Sequence, residues 1–527
     1  MLAHAVAPNL TAADAFLPAY EQFEAMVAQL RAPQVQRMTH SAVEALLETE
    51  GRELLRRLLQ AHFDERSPGQ GAAPVRDTTG QLHTHQRLHT RALVSVFGEV
   101  SLTRQGYGGR GLTSLHPLDA ALNLPPERYS HTVRRRVAEE AAKASFDEVV
   151  ATLAQHPGAA VPKRQAEALV PRAAQDFDAF YEAQRQASAA EVQATSEVLV
   201  ISSDGKGVPL LKADLRPATQ VAAETRQGRL AHRHSKGEKA HTKRMSTVAA
   251  VYTIAPHVRT PEQSVRELQP EGAAPEPRPR PEDKRVWASL THSPQEVIQH
   301  AFAEAQRRDP HQTKDWVALV DGNPTQLRLL QAAAATTGVA VTIILDVIHV
   351  LEYLWKAAWA LHAEGEQAAE VWVSERLEQI LHGRSSQVAA GIRRSATWRG
   401  LRERQRTPLD KCANYLLKYD AFLRYDQYLA AGYPIATGVI EGACRYLVKD
   451  RMEVTGARWR LQEAEAVLRL RALRASGDFD AYWQFHLQQE YKRHHATQYA
   501  EGQVPQPIRK PEGKASQAKG SHLWVVK

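Results

Sequence analysis

Three acids stand in short words that could carry metal-assisted chemistry: Asp204 in SSDGKG, Asp321 in VDGNP and Glu441 in GVIEGACR. Carboxylate oxygens suit hard divalent cations such as Mg²⁺ or Mn²⁺, which keep several waters and leave room for a phosphate. Two such ions about 3.5–4 Å apart can polarise an attacking oxygen and steady a leaving one in phosphodiester displacement. Gly205 and Gly322, beside two of the acids, would let a nucleic-acid backbone come close. By spacing alone the series equally describes ordinary acids at strand ends in an α/β protein, so the elements that hold them decide its meaning.

Those elements have a clear texture from residue 197 onward. EVLVISSD, TVAAVYTI (247–254), WVALVD (316–321) and VAVTIILD (339–346) are apolar runs with β character, and three of them end on an acid. VPLL, after Gly207, is expected to be a returning strand. Helical patterns near 294–308 and 325–335 separate the later runs, which predicts an α/β sheet with its acids at the strand ends. Ligands of such sheets sit just outside the carboxyl ends of the strands. From 347 to 431 the strand signal gives way to successive amphipathic helices, too long and too regular for a loop.

The N-terminal part is mainly helical, with leucines at helical spacing over 12–30 and 41–63 and a β-hairpin predicted around Gly98-Glu99. Helices predicted over 131–143, 146–155 and 162–171, the last two parted by Pro157-Gly158, resemble a helix-turn-helix. Lys163 and Arg164 open the third helix, where cations meet phosphates. The predicted layout is therefore an N-terminal region (1–130), a helix-turn-helix-like DNA-binding region (131–195) and a first catalytic part (196–346). A helical insertion (347–431), a completing part (432–495) and a disordered basic tail (496–527) follow.

Composition narrows the classes. With 527 residues, 43% hydrophobic and 24% charged, the chain is long enough for several cores. Its two cysteines exclude a disulfide framework and any cysteine-rich zinc module, and point to a reducing cytoplasm. No apolar run suits a membrane span. The net charge of +8 is uneven: 226–244 carries seven Lys/Arg against one Glu, and 393–411 seven against two acids. Residues 255–281 hold seven prolines and are expected to lack regular structure.

The words SSDGKGV, LVDGNPTQL, ILDVIHVLEYLW and GVIEGACRYLVKDRMEVTGARW resemble the DDE transposases of bacterial insertion sequences of the ISKra type, within the wider Mutator-like group. LHPLDAALNLP, SFDEVVATLAQHPGAAVPKRQ, VYTIAPHVRTPEQ and PRPRPEDKRVWASL extend the resemblance over roughly residues 85–490. It implies an α/β, ribonuclease H-like catalytic core interrupted by an all-helical insertion. Asp204, Asp321 and Glu441 would be its metal-binding triad for two Mg²⁺ or Mn²⁺ ions. It further implies double-stranded DNA as partner, both the element's terminal inverted repeats and the target, and at least a dimer to bring two ends together. The setting would be the bacterial cytoplasm, at the nucleoid. The same core could serve a nuclease without strand transfer or a transposase-derived DNA-binding protein.

Asp346 and His349 fit the (C/D)-x-x-H motif of the Mutator-like group and would share a helix face as a pair that orients rather than binds metal. Asp346 also competes with Asp321 for the place of second catalytic acid. Arg445 and Lys449, beyond Glu441, could contact phosphates; the position seven residues past the Glu, basic in many DDE enzymes, is Val448 here. Among the tryptophans, Trp355, Trp359 and Trp398 are expected in the core. Trp459, between Arg458 and Arg460, is the candidate for stacking on a base. His83, His85 and His89 read as a solvated polar stretch.

Overall fold

The structure, a computed structural model, describes residues 14–155, 160–187, 196–224, 241–267, 278–363 and 365–508. Most of the basic stretch 226–244, part of the proline-rich segment and the Pro157-Gly158 turn lie outside these residues. The chain divides into two compact units that do not follow sequence order: Met1–Glu140 with Phe146–Leu169 and Trp483–Lys527, and Ala141–Ser145 with Val170–Tyr482. The segment 131–195, expected to be one module, is shared between them.

In the first unit, helices Leu17–Arg31 and His40–Arg66 precede a three-stranded antiparallel sheet. Its strands are β1 (His85–Ser95), β2 (Gly98–Gly109) and β3 (Leu112–Leu115). The hairpin is where the alternation predicted it, but Gly98 opens β2 rather than making the turn, which is Val96-Phe97. Phe63 from the second helix packs with Leu93, Val100 and Leu102 of the sheet. Two expectations change here. His83 is buried, its ring nitrogens on Tyr107 O (3.2 Å) and Asp77 Oδ2 (3.1 Å), and His89 lies 2.8 Å from His116, so these histidines are not merely solvated. The tail is packed as far as residue 508, with Tyr499 buried and Gly71 bridged to Pro507.

The second unit is built on a five-stranded sheet: β4 (Val198–Pro209), β5 (Lys243–Ile254), β6 (Glu282–Ser289), β7 (Asp315–Val320) and β8 (Val341–Leu345). Their spatial order is β6-β5-β4-β7-β8. The β6–β5 and β5–β4 pairs are antiparallel, while the β4–β7 and β7–β8 pairs are parallel. The central runs VLVISS and WVALV are buried along their length, as continuous apolar strands covered on both faces must be. The returning strand expected at 208–211 does not exist. β4 continues unbroken to Pro209, and the antiparallel return is β5. Short Pro261–Glu267 is helical within the proline-rich segment, with Pro at its first position, where the missing N–H costs nothing.

After β8 come helices Val347–Ala358, Gln367–Leu381, Ser385–Trp398, Glu403–Lys418 and Tyr425–Ala430, the predicted helical stretch. Gly438–Ala443 then begins a helix that turns π-helical over Cys444–Lys449 and returns to α geometry at Asp450–Met452. Helix Leu461–Ser476 packs against β6.

Candidate functional site

The parallel half of the sheet lines up its acids by register. Ser202 pairs with Leu319, so Asp204 and Asp321 each lie two residues beyond that pair. Val320 pairs with Leu345, so Asp321 and Asp346 each follow it directly. Asp204 is thus inside β4 rather than at its end: β5 still pairs it, opposite Val248, where β7 has already left. Three carboxylates therefore stand in one row across adjacent strands, which are spaced about 4.8 Å apart in any sheet.

The three differ in how far their oxygens are already engaged. Asp346 is fully buried and caps helix Val347–Ala358. Its Oδ1 accepts from Ile348 N (3.0 Å) and Thr437 N (3.3 Å), and its Oδ2 from Thr437 Oγ1 (2.5 Å) and His349 Nδ1 (3.1 Å). A carboxylate offers about four lone-pair positions, so Asp346 has none to spare. Asp321, half-buried, accepts only from Asn323 N (2.8 Å) among the described residues. Asp204, also half-buried, accepts from its neighbour Gly205 N (2.5 Å) and from the Cys444 thiol (3.2 Å), a weak donor. Asp321 and Asp204 keep binding capacity that Asp346 has spent.

Glu441 reaches this edge through Thr437. Thr437 N and Oγ1 both donate to Asp346, and the same hydroxyl lies 3.4 Å from Glu441 Oε1. Helix Gly438–Ala443 is thereby fixed to the row at its first turn, with the Glu441 side chain exposed. Ligand atoms of Asp346, His349 and Glu441 lie within 4.8 Å of one another; Asp204 and Asp321 are outside that tight group. The Asp346 hydrogen bond raises the His349 pKa above its ordinary value against the effect of burial, with the charges of Asp346, Asp321 and Glu352 adding to it. One turn beyond Glu441, Cys444 begins the π-helical segment; such segments are frequent at functional sites. Burial, then the Asp204 charge, pushes the Cys444 thiol up, which keeps its proton available to Asp204.

The helical stretch after β8 holds the strand ends from the other side. Tyr419 donates to Gly322 O (2.5 Å) and Tyr425 to Leu345 O (2.7 Å), while Tyr415 OH lies 3.4 Å from Asp321 O. Gly322 has φ +89°, and a Cβ there would lie 3.1 Å from Tyr415 OH. Its glycine is required by backbone and tyrosine, not by room for a nucleic acid. The space over Gly205 is likewise taken, by Met245 Cε at 3.2 Å.

The other predicted contacts are dispersed. Arg445 and Lys449 are exposed, Arg445 at 3.8 Å from Asp450, and Val448 is buried. In the first unit Lys163 is ion-paired with Asp147 (2.8 Å) and Arg164 is exposed. Trp459 is corrected: it is 6% exposed, donates to Met452 O, lies under Arg451 and exchanges backbone hydrogen bonds with Pro209 and Leu211. A ring so enclosed offers no face to a base. The expected core tryptophans move the other way, for Trp359 and above all Trp398 are exposed. Sequence reasoning missed Thr437, Cys444 and the three tyrosines. The only signal available was their proximity in sequence to Glu441, which applies to the first two.

A divalent ion fits this donor set in kind. Asp204, Asp321 and Glu441 supply hard oxygens, and the donors already on them are one thiol and two backbone N–H groups. Neither family models nor the sequences of characterised proteins match this chain. Among the described residues, no helix is long and apolar enough to cross a membrane.

Proposed function

We propose that this chain is a DDE transposase: a metal-dependent enzyme that cuts DNA at the ends of an insertion sequence and joins them to target DNA. The single observation that carries the reading is the row of carboxylates across adjacent strands, two with spare oxygen valence, with a glutamate brought beside it by the Thr437–Asp346 contact. The sheet order, an antiparallel trio followed by two strands parallel to β4, supports a ribonuclease H-like core, and the helices over 347–431 stand where that reading expects an insertion.

Asp204, Asp321 and Glu441 would hold the ions, whose positive charge would supply polarisation of the attacking oxygen and stabilisation of the leaving one. The chain's own part is placement. Thr437 and Asp346 fix the height of Glu441 over the row, the Cys444 thiol orients Asp204, and Tyr419 and Tyr425 hold the strand-end backbone still. His349, whose pKa the Asp346 hydrogen bond raises, stands beside the acids and could donate to a phosphate without taking a metal position. Synapsis of two DNA ends calls for at least two copies of the chain.

The test uses the purified full chain, Mg²⁺, and DNA carrying the inverted repeats that bracket its reading frame. Asp204→Asn and Glu441→Gln are expected to lower cleavage and joining about 100- to 1000-fold, the scale of removing a charge-stabilising group. Melting temperature and end binding should change little. Cleavage at the parental rate in either variant overturns the triad. Pre-cut ends that are never joined to a plasmid would reduce the enzyme to a nuclease.

A further inference from the structure

The strongest unexplained surface lies at the far end of the helical stretch, where helices Ser385–Trp398 and Glu403–Lys418 pack together around the short turn 399–402. Trp398 closes the first helix and is 86% exposed, the highest exposure of any large apolar side chain described. One exposed aromatic on a surface means nothing by itself. Its surroundings are what make it unusual. Arg394, Arg399, Arg402 and Arg404 are all exposed, and no ion pair holds any of them among the described residues. Glu403 is the one acid between Arg393 and Arg406.

Helix stability accounts for Arg399, the C-cap of helix Ser385–Trp398, where the dipole favours a cation, but not for the arginines across the turn. Arg402 is the N-cap of helix Glu403–Lys418 and Arg404 lies in its first turn, where the helix dipole disfavours positive charge. Charge crowding extends behind the turn as well. Arg376, stacked on Trp372 at 4.0 Å, is held below its ordinary pKa by burial and additionally by Arg399. Cations kept together at a cost, with an uncovered indole among them, match one class of ligand. Successive phosphates satisfy the arginines, and the flat face of a base covers the indole. A base in an intact duplex has both faces stacked, so the fitting partner is an unpaired strand.

We propose that the tip formed by Trp398 and Arg394, Arg399, Arg402 and Arg404 binds single-stranded nucleic acid, with Trp398 stacked on a base and the arginines along the backbone. It shares with the transposase reading only the class of partner. Binding is therefore measured in the cleavage-dead Asp204→Asn protein, so that failure here and failure there are told apart.

Anisotropy of a labelled oligothymidylate and of a duplex of equal length, titrated with the full chain over a range of salt, provides the readout. Trp398→Ala should weaken oligothymidylate binding about 5- to 100-fold, and Trp398→Phe should recover most of it. Each Arg→Gln change at the four positions should shallow the log–log salt slope by roughly 0.7 for a single strand. The exposed positions should leave melting unchanged. The proposal is overturned if Trp398→Ala binds oligothymidylate like the parent, or if the arginine variants lose only duplex binding. Loss of duplex-end binding with the tip intact would count against the transposase reading and leave the tip standing.

Discussion

Two groups of acids in the second unit sit in opposite circumstances. Glu304, on helix Pro294–Arg308, is 1% exposed and surrounded by guanidinium: Arg285 Nη1 at 2.8 Å, Arg307 Nη2 at 2.8 Å and Arg308 Nε at 2.7 Å. Burial would push its carboxyl up, but the three arginines outweigh it and hold the pKa at about 2. Asp204, Asp321 and Glu441 meet no guanidinium among the described ion pairs; the donors on Asp204 and Asp321 are two backbone N–H groups and a thiol, and Glu441 only lies near the Thr437 hydroxyl. A carboxylate saturated by fixed cations is finished as a structural element. One held in place by weak or neutral donors is oriented yet still able to take a cation. The contrast separates a cluster of ion pairs that ties β6 to helix Pro294–Arg308 from acids with oxygen valence to spare.

The largest effect is expected at the saturated acid. Glu304→Gln leaves Arg285, 5% exposed and stacked on the Tyr181 ring at 3.4 Å, without its countercharge. Breaking a buried pair on one side costs about 3–5 kcal/mol, and urea unfolding should show that loss. The sign of the pH dependence follows from the depressed pKa. Stabilisation by Glu304 is complete above its unfolded value of 4.5 and drains away as pH falls toward about 2. Over that window it amounts to about 3 kcal/mol. The Gln variant should lose this acid-dependent slope; if it unfolds in acid along the parental curve, Glu304 is not the anchor the geometry makes it.

That anchor also shows what the sequence concealed. The runs over 198–202 and 316–320 were legible because strands covered on both faces must be continuously apolar. The run over 341–345 was legible because it is apolar, even though this edge strand is buried only at Ile344 and Leu345. β6 was not legible, since EDKRVWAS carries Arg285 in the middle of a buried strand, and only Glu304, 19 residues away, makes that tolerable. Asp204, Asp321 and Glu441 were found as acids beside predicted elements. Their ranking against Asp346 had to await the four donors that fill Asp346, two of which come from Thr437, 91 residues further along the chain. Tyr419 and Tyr425 look like ordinary core residues of amphipathic helices, and nothing local reveals that their hydroxyls clamp strand-end carbonyls. Trp398, by contrast, was legible and misread. The buried stripe of its helix runs Val388, Ile392, Ala396, and a residue two further on faces away from it.

A middle-sized effect is expected at Thr437, where the two circumstances meet: a fully buried acid on one side of its hydroxyl and an exposed one on the other. Thr437→Val keeps the shape and removes the donor, leaving Asp346 one hydrogen bond short in a site without water access. That should cost about 1–3 kcal/mol of stability. With its tether gone, Glu441 should also lose its fixed height, and cleavage should fall roughly 10–100-fold with a higher Mg²⁺ requirement, as when outer partners of metal ligands are removed. Thr437→Ser restores the hydroxyl and should recover most of both. A Val variant that is destabilised but cleaves normally at saturating and limiting Mg²⁺ would make Thr437 a purely structural bridge to Asp346.

The smallest effect sharpens the contrast most. The Cys444 thiol is the only side-chain donor on Asp204 among the described residues, at 3.2 Å, and a thiol is a poor hydrogen-bond donor. If Asp204 is oriented but left available, removing so weak a partner should matter little. Cys444→Ala is expected to lower cleavage less than ~10-fold and stability by about 1 kcal/mol, the latter from lost packing at a 5% exposed site. Cys444→Ser is the informative partner. Its stronger hydroxyl donor moves Asp204 toward the engaged state of Asp346, so it should raise the Mg²⁺ concentration needed for half-maximal cleavage above that of the Ala variant. The opposite order, with Ser tighter for Mg²⁺ than Ala, would mean that Asp204 works better the more firmly it is held, and spare valence would no longer distinguish Asp204, Asp321 and Glu441 from the Glu304 cluster.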